Sequence, residues 1–191
     1  MTYAPRDIEI TRLRQFVDRV RELRYEHRVG LDVRYTYDSQ GPIPSEELGT
    51  RQWLPIREGT GWGELWGSAW FHMTGEVPDT HHGSRVVALI DVGSEACVFR
   101  DGRPYQGLTD LRSGDGRAGR KRRVDILTAA VGGENVSLLI EAGANAINGS
   151  EGHDRFVLGQ AELAVLRLEY EQLALDLEFL LDLAAALPPA D

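Results

Sequence analysis

Between Gly61 and Phe71 the chain reads GWGELWGSAWF, which sets three of its four tryptophans (Trp62, Trp66 and Trp70) among Gly61, Gly63 and Gly67. Glycine removes the Cβ where backbones or rings must approach closely, and tryptophan carries a large apolar area with one N–H handle. A stretch punctuated this densely exceeds what a generic sandwich needs and specifies a particular module. Further on, DVGSEACVFRDGRPYQGL (Asp91–Leu108) has a similar character, and its Asp101-Gly102 pair is a hairpin signal.

Around these motifs the periodicity changes twice. From Asp7 to Val29 the apolar residues Leu13, Phe16, Val17, Val20 and Leu23 keep three- and four-residue spacing, which predicts an amphipathic helix stopped at Gly30. From Leu31 the pattern becomes that of short strands, with Leu31, Val33, Tyr35 and Tyr37 alternating with polar residues. Strands are predicted at 52–57, 65–74, 85–92, 96–100, 122–130, 136–142 and 156–166, with Gly, Pro, Asp and Asn between them at sandwich-like spacing. A last helix is predicted from Arg167 to Leu187, ended by Pro188-Pro189. It has two apolar stripes, Leu173/Leu177/Leu180/Ala184/Leu187 and Leu168/Leu175/Phe179/Ala186. A helix apolar on two sides needs two partners, so the chain reads as cut from something longer. The expected organisation is an N-terminal helix over 1–29, a β-sandwich over 30–166 and a helix over 167–191.

A chain of 191 residues buries roughly 70% of its unfolded surface, enough for a core without covalent staples. One cysteine, Cys97, allows no internal disulfide and fits a reducing, cytoplasmic compartment. No apolar run reaches the ~18 residues of a membrane span. A net charge of −9 argues against nucleic acid as a partner. Residues 1–29 carry a net +2 and residues 151–191 a net −7, so the two ends attract each other weakly.

Candidates for chemistry are sparse. The histidines His27, His72, His81, His82 and His153 lack metal-ligand spacing, and Cys-x-x-Cys is absent. There is no Gly-x-Ser-x-Gly elbow, and Cys97 lies in an apolar run where a small core residue is expected. GTGWG (Gly59–Gly63) lacks a phosphate-loop register and reads as close backbone packing. RAGRKRR (Arg117–Arg123) reads as a solvated hairpin rather than an anion site. On a strand from Leu65 to Thr74, one face (Leu65, Gly67, Ala69, Phe71, Met73) is core. The other (Trp66, Ser68, Trp70, His72, Thr74) either stacks on sugar rings or packs beneath another domain. Trp62, Trp66, Trp70 and His72 are therefore the candidate sugar-stacking or interface residues, and no catalytic or metal-binding residue is assigned.

Taken in order, GWGELWGSAWFHMTGEVP (Gly61–Pro78), DVGSEACVFRDGRPYQGLT (Asp91–Thr109), IEAGANAINGS (Ile140–Ser150) and LGQAELAVLRLEYEQLALDLEFLLDLAAALP (Leu158–Pro188) resemble one family. It is the N-terminal non-catalytic region of cytosolic/vacuolar-type α-mannosidases of glycoside hydrolase family 38. The resemblance implies a mainly β fold, a galactose-binding-like (jelly-roll) β-sandwich, whose terminal helix leads into a catalytic domain. It also implies a retaining exo-hydrolase of terminal α-linked mannose that uses an aspartate nucleophile, an acid/base carboxylate and a divalent metal, usually Zn2+. The family's His-x-Asp metal motif is absent from this sequence, and His153-Asp154 do not match it. The expected partners are then the protein's own catalytic domain, mannose oligosaccharides as substrate of the parent, and further copies in a homo-oligomer. The competing reading is a free-standing carbohydrate-binding module that uses its tryptophan face.

Overall fold

The computed structural model describes residues 5–110, 120–145 and 156–187. They form two compact units, one spanning Arg28–Ala164 and one built from the two ends of the chain, up to His27 and from Val165.

The larger unit is a β-sandwich. One sheet has seven strands in the order β3 (Leu54–Pro55), β2 (Asp32–Asp38), β5 (Ser68–Glu76), β11 (Asn135–Gly143), β7 (Ala96–Arg100), β8 (Arg103–Asp110) and β9 (Arg120–Lys121). A four-stranded sheet runs β1 (Tyr25–Gly30), β13 (Gln160–Leu166), β6 (Val86–Asp91), β10 (Arg123–Leu127). A short ribbon pairs β4 (Gly61–Gly63) with β12 (Phe156–Val157). The centre of the large sheet is set by period-2 patterning on β5 and β11, which pair antiparallel with Ala142 opposite Ala69, Ile140 opposite Phe71 and Leu138 opposite Met73. All six are buried in one cluster with Val86, Ala88 and Ile90 of β6 and Leu163 of β13. Every residue of β6 from Val86 to Ile90 is buried, as expected of a strand covered on both faces. Asp101 and Gly102, at φ +52° and +71°, make the two-residue turn that returns β7 into β8.

Trp62 lies in this core. Its indole meets Phe71 edge-on at 5.3 Å and Phe156 at 5.6 Å, and its Nε1–H donates to the Val92 carbonyl at 2.7 Å. Of the glycines of GTGWG only Gly63 is closely packed; Gly59 has open space beside it and Gly61 makes an ordinary contact. Gly61 and Gly63 form the β4 ribbon, and a Cβ at Gly63 would lie 3.1 Å from the Tyr37 ring. Gly93, at φ +73°, is another close approach, since a Cβ there would come within 2.6 Å of the Val157 carbonyl oxygen.

The unit formed by the chain ends holds α1 (Pro5–Glu22) and α2 (Leu168–Ala186). The first helix is shorter than its periodicity predicts. The N–H groups of Leu23 and Arg24 donate to the Val20 and Arg21 carbonyls, which closes the last turn, and the chain then extends as β1 rather than running helical to Val29. Its partners explain this: Arg167 N–H donates to the Arg24 carbonyl and Leu31 N–H to the Ala161 carbonyl, so ladder pairing overrides helix propensity. Arg21 Nε donates to Glu178 at 2.5 Å between the helices, and Arg167 Nη1 reaches both oxygens of Glu26 at 3.0 and 3.1 Å. These are half-exposed pairs, worth about 0–1 kcal/mol each.

The second helix matches its predicted span, but its buried face does not. Ala174 and Leu181 are buried, whereas Leu168, Leu173, Leu175, Phe179, Leu180, Leu183 and Leu187 are exposed. Both predicted stripes therefore face outward for most of their length, and the small side chain of Ala174 marks the inward side. Pro188 and Pro189 lie outside the described residues.

Trp62→Ala is expected to destabilise the chain by about 3–5 kcal/mol through the cavity it leaves. Trp62→Phe keeps most of the volume but leaves the buried Val92 carbonyl without its donor, a loss of about 1–3 kcal/mol. Urea denaturation of the two variants checks both values.

Candidate functional site

The four residues proposed for a sugar or domain contact do not share one surface. The strand begins at Ser68, three residues later than its pattern predicts, because Leu65 and Trp66 form a turn closed by a Gly67 N–H bond to the Glu64 carbonyl at 3.1 Å. Trp66 thus leaves the row of alternating side chains. Trp62 is in the sandwich core. Trp70 does point away from that core, yet it is only 2% exposed.

The segment from Ser39 to Trp53 covers it. The Trp70 Nε1–H donates to the Ile43 carbonyl at 2.9 Å, and Ser68 Oγ donates to the Gly41 carbonyl at 2.5 Å. Ile43 is itself buried, and Phe99 packs 4.8 Å from the Trp70 ring. His72, next on the same face, is half-buried; its Nε2 lies 2.9 Å from Ser137 Oγ, and its ring stands edge-on to Trp53 at 6.0 Å. Trp53 is anchored in turn through Nε1–H to the Leu48 carbonyl at 3.2 Å. Nothing in the pattern marks this role: Ile43 lies in the turn-rich stretch GPIPSEELG, and Trp53 lies in the run predicted as a strand over 52–57, of which only Leu54–Pro55 forms one.

Trp66 is the outward-facing member of the set, 68% exposed at φ +75°. A bulky residue in the left-handed region costs roughly 1–3 kcal/mol and persists only where its surroundings over-determine it. They do so here. Trp66 N–H donates to the Ala144 carbonyl at 2.8 Å, Ala144 N–H to the Gly67 carbonyl at 2.9 Å, and Glu64 N–H to the Tyr37 hydroxyl at 3.1 Å. Gly67 sits directly beneath the Tyr37 ring, where a side chain would collide.

Among the described residues, several groups that could carry catalysis or hold a metal have other surroundings. Among the described residues no three His, Cys, Asp or Glu side chains cluster as metal ligands. His81 is fully buried, while the exposed His82 directs Nδ1 to the Val131 carbonyl at 2.9 Å, so the adjacent pair diverges. His153 and Asp154 fall outside the described residues. Of the basic run, Arg117, Ala118 and Gly119 also lie outside the described residues; Arg122 pairs with Asp91 at 2.7 Å and Arg123 Nε lies 3.5 Å from Asp125. Burial and the facing Glu141 carboxylate push the Cys97 thiol up, away from the thiolate that nucleophilic chemistry needs. Among the described residues no helix is long and apolar enough to cross a membrane.

The geometry defines a two-sheet, jelly-roll sandwich with extensive packing. Comparison with known proteins agrees: the family model described as "Alpha-mannosidase, jelly roll domain" matches residues 29–164, almost the whole Arg28–Ala164 unit, and the chain belongs to that family. Alpha-mannosidase 2C1 of Homo sapiens is 29% identical over 157 residues, covering 76% of this chain, and Alpha-mannosidase 2C1 of Mus musculus is 28% identical over 156 residues, also covering 76%. The chain spans 14% of the length of each of these relatives. Among solved structures, a Ruminococcus gnavus beta-glucuronidase in complex with uronic isofagomine aligns with a TM-score of 0.44 at 13% identity, over 74% of this chain and 28% of that one.

The two chemical assignments are testable in solution. Acrylamide should quench the emission of Trp66 selectively, so Trp66→Phe should remove most of the quencher-accessible fluorescence and Trp70→Phe little of it. Glu141→Gln should lower the Cys97 thiol pKa, because it removes a negative charge that disfavours the thiolate. Alkylation of Cys97 at fixed neutral pH should then be faster in the variant, and its rate profile should shift to lower pH.

Proposed function

We propose that this chain is the N-terminal scaffold and interface region of a metal-dependent, retaining exo-α-mannosidase, with the catalytic centre in other parts of the polypeptide. The observation that carries the reading is the family match over 29–164 in a chain spanning 14% of its relatives. The outer surface of α2 supports it. Seven large apolar side chains, from Leu168 to Leu187, are uncovered there, with Phe179 71% exposed. An exposed apolar surface of that extent marks a contact with another body. In this reading the sandwich over 30–166 is followed by a linking helix over 167–191, and α2 docks the catalytic domain. The nucleophilic aspartate, the acid/base carboxylate and the zinc ion belong to that domain, which acts on terminal α-linked mannose. The compartment is cytoplasmic, and the parent assembles as a homo-oligomer.

The experiment is an assay of the 191-residue chain on an aryl α-mannoside, beside a longer protein in which the α-mannosidase sequence continues. The chain alone should release no aglycone, and the longer protein should be active. Turnover by the isolated chain would overturn the reading. Phe179→Asp should leave the melting temperature of the isolated chain within a few degrees, as surface substitutions do, yet reduce the activity or assembly of the longer protein several-fold.

A further inference from the structure

The exposed side of α2 is apolar, yet it carries a charge at its centre. Residues three, four and seven apart on a helix share one face. Asp176 therefore stands among Leu173, Phe179, Leu180 and Leu183, each of them exposed. Asp176 is exposed with them, on the side of the helix away from the buried Ala174 and Leu181, and its Oδ1 accepts the Gln172 amide N–H at 2.7 Å.

That placement constrains whatever covers the helix. A body that buries the four apolar side chains takes Asp176 out of water with them, and the aspartate side chain is too short to carry its charge out to the rim. An ionised carboxylate without a counter-charge in a dry interface is strongly disfavoured, and a neutral amide does not balance it. Two other acids of α2 meet cations from outside the helix, Glu178 taking Arg21 Nε–H at 2.5 Å and Glu169 taking Arg167 Nε–H at 2.6 Å. The helix has no cation to offer Asp176, because its charged residues are Glu169, Glu171, Asp176, Glu178 and Asp182. The covering body has to bring one.

The same charges narrow the choice of that body. A symmetric contact between the α2 helices of two copies would set five carboxylates against five, with no basic residue on either side. Helix α1 of a second copy is close to neutral, with five arginines against four carboxylates, and its Arg21 is held by Glu178. The chain spans 14% of the length of its relatives, and on the scaffold reading the large neighbour available is the catalytic domain.

We propose that the catalytic domain of the parent α-mannosidase presents an arginine, set in an apolar patch, to Asp176, and that this pair fixes the register in which α2 docks. The identity of the partner rests on the scaffold reading; the cation rests on where Asp176 lies. Arginine suits the position better than lysine, since its guanidinium is less strongly hydrated and grips a carboxylate through two parallel N–H bonds.

The test places Asp176→Leu, Asp176→Lys and Asp176→Glu in the 191-residue chain and in the longer α-mannosidase, beside Phe179→Asp, and follows melting temperature and aryl α-mannoside turnover. In the 191-residue chain the Asp176 variants should melt within a few degrees of the parent, as surface substitutions do. In the longer protein Asp176→Leu should lower the melting temperature and cut turnover several-fold, because the partner's cation is left buried alone. Asp176→Lys should be worse through like-charge contact, and Asp176→Glu should keep most of the activity. If Asp176→Lys yields no folded protein, Asp176→Leu and Asp176→Glu decide. A higher melting temperature for Asp176→Leu in the longer protein would mean a wholly apolar cover and would overturn the proposal. So would silence of Asp176→Leu and Asp176→Lys while Phe179→Asp impairs the protein, an outcome that keeps α2 docked and removes the cation. If Phe179→Asp is silent too, the docking of α2 falls with the proposal. Sedimentation of the 191-residue chain as a dimer that Phe179→Asp dissolves would give the face to a second copy and would also overturn it. None of these results touches the scaffold reading itself, which falls on mannoside turnover by the chain alone.

Discussion

The indole of Trp62 is the contact on which the arrangement of this domain turns. It comes from a three-residue strand too short to hold itself, paired with an equally short partner at Phe156–Val157. What fixes the ribbon is the side chain: a ring packed on Phe71 and Phe156, with its one polar atom satisfied by the Val92 carbonyl. A buried indole without that acceptor would leave a donor unpaired, so ring packing and hydrogen bond stand or fall together. Gly93 follows immediately, and its lack of a side chain lets the Val157 backbone come close. The same ribbon leads into the turn that carries Trp66. One packed ring therefore ties together the Asp91–Gly93 corner, the β12 strand and the start of the exposed turn.

Much of this was legible in the sequence wherever burial imposes a period. The strands at 96–100 and 136–142, the Asp101-Gly102 turn and the last helix follow from alternation, turn chemistry and three- and four-residue spacing. Where the reading failed, a longer-range interaction had decided the outcome. Tyr25–Gly30 lies at the end of a helical pattern, yet it is a strand because Ala161 and Arg167 supply partners that no local window contains. The run at 156–166 is two strands rather than one, broken at Leu158-Gly159, where both N–H groups turn to the Thr60 and Asp91 carbonyls. A three-residue shift in where β5 begins moved Trp66 from a sheet face to a turn.

The candidate site was legible as a list of residues and not as a surface. Trp62, Trp66 and Trp70 look equivalent in sequence, spaced four apart among glycines, yet they have three different fates. One fills the sandwich core, one lies under a loop and one faces solvent. The segment that covers Trp70 contributes Ile43 from the turn-rich stretch at 41–49 and Trp53 from the predicted strand at 52–57, and in neither place does the pattern single out the anchoring side chain. The α2 helix misleads in the opposite sense. Its leucines define stripes, but the side turned inward is marked by Ala174 and Leu181, because close helix packing selects small side chains as readily as large ones.

The two uncovered features differ in kind, and that difference bears on what each can bind. The exposed side of α2 is broad and continuous in sequence from Leu168 to Leu187, and its charges are uniformly acidic. Covering it removes water from many side chains at once, which is the way a folded domain gains from association. The Trp66 turn is narrow and strained, with its one indole exposed. No domain-sized area is available there, and its rigidity serves orientation more than burial. The described residues thus leave two separate features uncovered, an apolar helix face and one aromatic ring held at a fixed angle. Because the two features share no residues, substitutions at Phe179 and at Trp66 should act independently, with additive effects in the double variant.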